Sequence, residues 1–128
     1  MTGTLEDLGW PEAELFDMAL EDGVFSFKML DLLAYSDPLK YEVVLVMVKG
    51  IDSLHISMTQ YRNGRFEAKF MPIQIGRQSE DDQGFEGVSL ADPFTGAKAE
   101  QFWVSGSLRA TDISLRRTGE FRFKQRAY

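Results

Sequence analysis

The chain has 128 residues and a net charge of −6, with 44% hydrophobic residues, one histidine and no cysteine. That length predicts a single domain over 1–128, able to bury about two thirds of its unfolded surface. Disulfides, thiolate nucleophiles, zinc-thiolate sites and iron-sulfur clusters are excluded for want of sulfur ligands, and the acidic balance opposes the cationic footprint that nucleic acid needs.

Thr4 is placed to cap a short turn over 5–8, ended by Gly9-Trp10-Pro11. Residues 12–22 carry two signals. Pro11, Glu12, Glu14 and the stop at Gly23 suit a helix, whereas Phe16, Met18 and Leu20 alternate with polar or small residues. Asp22-Gly23 is a strong hairpin turn, so the expectation favours a strand over 15–21. A second strand, 24–33, runs to a loop at Tyr35-Ser36-Asp37-Pro38, because a residue before proline is pushed out of helical space. Residues 41–48, apolar on both faces from Val43, belong in the middle of a sheet. Gly50 to Ser53 is expected to turn the chain into a hairpin centred on Asn63-Gly64, with Leu54, Ile56 and Met58 before it and Phe66, Ala68 and Phe70 after it.

Residues 76–87 hold Glu80, Asp81 and Asp82 with no large apolar side chain before Phe85, and read as a solvated, mobile loop. Asp92 to Gly96 is a turn, or one helical turn capped by Asp92. Three strands, 101–109, 113–117 and 120–126, close the chain as a meander, with Gly106 marking a bulge or bend and Thr118-Gly119 a hairpin turn. The fold class expected is mainly β: an antiparallel sandwich, a strongly curved sheet or a small barrel of about eight strands, with at most one or two short helices.

No pattern for catalysis, cofactor or metal stands out. His55 alternates with Leu54 and Ile56 and reads as a surface residue, and no Gly-x-Ser-x-Gly accompanies it. Glu80, Asp81, Asp82 and Glu86 lack the spacing of an EF-hand loop. The start Met1-Thr2-Gly3-Thr4 lacks a basic region followed by an apolar one, and the longest apolar run, 43–48, is far too short to span a bilayer. A cytoplasmic protein with no membrane role is the expectation.

Charge is uneven. Residues 1–37 hold nine acids against one Lys, and residues 100–128 three acids against six bases. The acidic set Glu12, Glu14, Asp17, Glu21, Asp22 suggests steering of a basic protein partner. In 121–126 the phenylalanines share one face of a strand and Arg122, Lys124 and Arg126 the other, forming a positive stripe that suits an acidic partner or pairs with the acidic N-terminal segment.

Gly9-Trp10-Pro11, then Leu15-Phe16-Asp17 and an Asp-Gly hairpin into Val24-Phe25-Ser26-Phe27, resembles the start of some small bacterial immunity-type proteins, acidic β-rich partners that neutralise toxins of competing cells. The resemblance covers about fifteen residues, and where those proteins tend to carry histidine before the aspartate this chain has Phe16. It implies inhibition by binding, with no catalysis and no cofactor. A non-enzymatic protein-binding module is therefore the leading expectation. The alternatives are a small-ligand protein or enzyme with a site in a barrel mouth lined by Trp10, Tyr41, Phe102 and Trp103, and a homo-oligomeric structural module, a dimer being the simplest.

Overall fold

The computed structural model describes residues 14–35, 37–62, 65–96 and 98–124, with backbone alone for 61, 62, 65–71 and 98–100. They form six strands: β1 (Glu14–Glu21), β2 (Val24–Ala34), β3 (Leu39–Arg62), β4 (Arg65–Ile75), β5 (Gln83–Ala91) and β6 (Lys98–Lys124). Among the described residues there is no helix, so the ambiguous segment from Glu14 onward is a strand. The sheet order is β2-β1-β5-β6-β3-β4, and β2 also pairs with β3. Strands β1, β2, β3, β6 and β5 therefore close a ring, with β4 added along the C-terminal half of β3. Every pairing is antiparallel except one parallel bridge, Glu14 to Val88, which makes the sheet mixed.

Six strands replace the expected eight: 41–48 and the first arm of the Asn63-Gly64 hairpin are one strand, β3, the three strands expected over 101–126 are one, β6, and β5 forms where part of a loop was expected. At Gly50 the chain keeps its direction: the register shifts between Ile51 and Ser53 while β6 stays paired on both sides, Lys49 with Asp112 and Ile51 with Ala110. The Thr111 hydroxyl occupies the space where a Gly50 side chain would stand, so the two long strands bend together. Thr118-Gly119 is likewise no hairpin. The pairing passes from Val44–Arg117 to Glu42–Phe121, leaving 118–120 as a bulge, and Thr118 Oγ1 donates to the Val43 carbonyl at 2.7 Å. A partner strand that continues on both sides of a turn-like dipeptide supplies hydrogen bonds that reversal would forfeit.

Asp22-Gly23 does reverse the chain. Both residues are left-handed, φ 52° and 73°, as a type I′ turn requires, and Glu21 pairs with Val24. The flanks of the Asn63-Gly64 hairpin pair down to Arg62 with Arg65, the two turn residues lying outside the described residues. Asp92 caps its turn as expected, Oδ1 accepting from the Phe94 and Thr95 amides at 2.9 and 3.1 Å.

Strand β3 sits between β2 and β6, as its two apolar faces predict. Val44, Val46 and Val48, then Leu54, Ile56 and Met58, point into a core shared with Phe25, Phe27, Met29, Phe85, Val104 and Leu108. Fully burying a side chain of this size contributes about 1.5–3 kcal/mol, so this spine is the main source of cohesion. Phe25, Phe27 and Phe85 pack with ring centroids 5.5–6.1 Å apart. Gly106 makes no bulge. It pairs in register with Ile56 and Phe85, and a Cβ there would stand 2.4 Å from Phe85 Cζ and 2.6 Å from the His55 carbonyl oxygen, so its bare backbone is what admits the Phe85 ring.

Candidate functional site: a serine-lined groove on β3, β5 and β6

Alternation places Leu54, Ile56, Val104 and Leu108 inwards and leaves His55, Ser57, Ser105 and Ser107 on the outer face, in two cross-strand pairs, His55 with Ser107 and Ser57 with Ser105. Strand β5 extends the rows with Gly84 opposite Ser107 and Glu86 opposite Ser105. Short side chains beside two glycines leave a depression, which Gln78 of the preceding loop borders. The result is a groove of about 420 Å³ with Gly84, Phe85 and Gly106 among its lining residues.

Polar groups converge there. Ser57 Oγ lies 3.2 Å from Ser105 Oγ and 3.4 Å from the Ser105 carbonyl oxygen. Ser107, 9% exposed, has a buried Oγ that meets no hydrogen-bond partner among the described residues. Leaving a buried hydroxyl unanswered costs about 1–3 kcal/mol, so such a group calls for a partner from outside the chain, an ordered water or a ligand. His55 stands on the outer face, as its alternation with Leu54 and Ile56 predicts, half-buried and bordering this groove.

The groove wall is fastened. Residues 76–87 were expected to be a mobile, solvated loop, yet β5 begins at Gln83 and the Asp82 side chain is only 3% exposed. Asp82 accepts from Ser53 Oγ at 2.9 Å, from the Ser79 amide and hydroxyl at 3.2 and 3.1 Å, and from Arg109 Nη1 at 2.9 Å. Arg109 Nε also reaches Asp52 at 2.9 Å. Burial works to raise the Asp82 pKa, but the bonds from Ser53 and Ser79 and the Arg109 charge outweigh it and hold the carboxyl below its ordinary value.

A folded-state pKa below the unfolded value means stability that is present above the ordinary carboxylate range and is lost as pH falls through the folded pKa. The loop latch should therefore hold at neutral pH and release below about pH 4, where aspartate begins to protonate. Hydrogen exchange at the Ser79 amide checks this. Its protection relative to the intrinsic rate at each pH should fall selectively on acidification, and an Asp82→Asn variant should show reduced protection already at neutral pH.

The residues singled out by charge assemble elsewhere. Glu14, Phe16, Asp17 and Arg122 border a second hollow of about 250 Å³ between β1, β6 and the end of β5. Glu14 pairs with Lys124, Asp17 with Lys28 at 3.1 Å, and Arg122 both salt-bridges Glu120 at 3.1 Å and lies over the Phe16 ring at 4.9 Å. The acidic front and the basic tail thus answer each other in part. Glu21 and Asp22 are exposed at the β1–β2 tip, while Glu12 and Arg126 lie outside the described residues.

Of the four aromatics proposed for a barrel mouth, the three described ones are not brought together. Tyr41 lies near Lys124, whose Nζ is 5.7 Å from the ring, whereas Phe102 is in the core and Trp103 pairs with Thr59 near the far end of β3. Trp10 lies outside the described residues. The groove residues were missed because serines spaced by two look like ordinary solvated strand positions. Their one signal was the shared spacing of polar residues, His55 and Ser57 on one strand and Ser105 and Ser107 on the other.

Among the described residues no helix is long and apolar enough to cross a membrane, and no group of three or more His, Asp or Glu is placed to hold a metal ion. Compared with protein families, curated proteins and solved structures, the chain matches none.

Proposed function

We propose that the chain is a non-enzymatic binding protein whose site is the groove on β3, β5 and β6, and that the groove takes a small polar molecule. The observation that carries this reading is the Ser107 hydroxyl, buried beside the groove with no partner among the described residues. The volume is in the range of small-ligand sites, and convergent hydroxyl, amide, imidazole and carboxylate groups supply both donors and acceptors. Ser57 supports binding over nucleophilic attack, since its hydroxyl is engaged with Ser105.

Titration with a panel of monosaccharides, polyols, amino acids and nucleosides, followed by the amide resonances of Gly84, Glu86, Ser105, Gly106 and Ser107, tests the reading. At least one probe should shift this set. In Ser107→Ala the shifts should shrink while the free protein gains about 1 kcal/mol, because an unanswered buried hydroxyl is gone. A panel that leaves all five amides unmoved overturns the proposal.

A second reading, docking of a basic protein as in an immunity-type inhibitor, is favoured by Glu21 and Asp22, which stand exposed at the hairpin tip with no ion pair among the described residues.

A further inference from the structure

The charge of the groove narrows its ligand. Glu86 is half-buried and borders the groove, and among the described residues its carboxylate meets neither a cation nor a hydrogen-bond donor. The other polar groups there are neutral hydroxyls and an amide, together with His55. No Lys or Arg is among the residues that line the groove, and Arg109, two positions beyond Ser107, is committed to Asp52 and Asp82. An anionic ligand would lie beside Glu86 with no ammonium or guanidinium to answer it, in a chain of net charge −6. A ligand with its own ammonium supplies the missing counter-charge, and charge-assisted hydrogen bonds are stronger than neutral ones.

We infer that the groove recognises a hydroxylated amine, with the ammonium on Glu86 and the hydroxyls on Ser105, Ser107 and Gln78. This rests on the reading of the groove as a binding site and adds the ligand's chemical class. Ser107, nine-tenths buried and unpartnered, is the independent sign that the groove is built for an occupant. Its hydroxyl both donates and accepts, so it can answer a ligand hydroxyl in either role.

D-glucamine and D-sorbitol form a matched pair of probes, equal in chain length and differing at one end by an ammonium in place of a hydroxyl. Titrated at pH 7.5 and followed by the Gly84, Glu86 and Ser107 amides, glucamine should bind at least tenfold more tightly than sorbitol. Glu86→Gln, a substitution at a half-buried surface position, should abolish that difference while leaving the thermal midpoint within a degree or two. Equal binding of the two probes, or a preference that survives Glu86→Gln, overturns the assignment of ligand class and leaves the groove itself standing. Failure of both probes overturns it as well, and only a silent panel in the wider titration removes the binding site with it.

Discussion

Gly106→Ala should cost about 3 kcal/mol or more. A Cβ at this position meets Phe85 Cζ at 2.4 Å, Phe85 Cε1 at 2.8 Å and the His55 carbonyl oxygen at 2.6 Å, all inside van der Waals contact. The ring cannot easily retreat, because it packs against Phe25 and Phe27 in the core. The carbonyl cannot retreat without breaking the β3–β6 ladder, where Ile56 pairs with Gly106 and His55 with Ser107. Overpacking of a tight core typically costs 1–3 kcal/mol, and the backbone contact places this case at the upper end or beyond. Equilibrium unfolding in urea measures it. Adding Phe85→Leu should recover part of the loss by removing the ring clash, leaving the share that belongs to the His55 carbonyl. A Gly106→Ala protein as stable as the parent would mean that the two strands do not approach as described.

Arg117→Ala should cost about 3 kcal/mol by a different route. Two carboxylates, Asp31 at 8% exposed and Glu42 at 7%, are cross-strand neighbours, and Arg117 answers both: Nη2 reaches Asp31 at 2.7 Å and Nη1 reaches Glu42 at 2.9 Å. These bonds, Asp31 first, hold the guanidinium above its ordinary pKa. Removing the cation leaves two like charges opposite one another in a poorly solvated place. Breaking a buried pair costs about 3–5 kcal/mol, and the lower end applies because the Arg117 side chain is 45% exposed and water moderates the loss. Glu42 retains a bond from the Gly119 amide at 3.2 Å, so part of its support survives. Neutralising both acids in the same background, Asp31→Asn with Glu42→Gln, should restore most of the stability measured by urea unfolding. If the triple variant is no better than Arg117→Ala alone, the loss arises from packing of the arginine stem instead.

These two sites show different relations between sequence and structure. Gly106 was legible as an exception, a glycine inside an apolar strand, but its meaning was not, because the ring that needs the space belongs to another strand. Arg117 was not legible at all. Its partners lie 86 and 75 residues earlier, and a basic residue near the tail gives no hint of which acids it will meet. The groove has the same character. Each of its serines occupies an unremarkable outer position, and only the pairing of β3, β6 and β5 sets them beside Glu86.

Where the sequence reading erred on faces, a bulge was responsible. Phe16, Met18 and Leu20 were expected to share a side, but Asp17 is left-handed at φ 52° and the register shifts between Phe16 and Ala19. One inserted residue reverses the parity of a strand, so Leu15 and Met18 face the core while Phe16 turns toward Arg122. Phe121 and Phe123 do share a face opposite Arg122 and Lys124, yet they are exposed, at 46% and 61%, while the cations, their side chains exposed as well, reach the acidic and aromatic side chains of β1.

The amino-acid order alone determined what depends on near neighbours: β structure throughout the described residues, the reversal at Asp22-Gly23, the Asp92 cap, and the central place of the doubly apolar 43–48 run. These follow from φ preferences, side-chain hydrogen bonds and period-two alternation, all acting within a few residues. The tertiary structure alone decided which turn-like dipeptides bend a strand and which reverse it, which face of a strand follows a bulge, and which polar residues meet in the groove. A continuous partner strand outweighs a local turn preference, and contacts between residues fifty or more positions apart are set by how the whole ring closes.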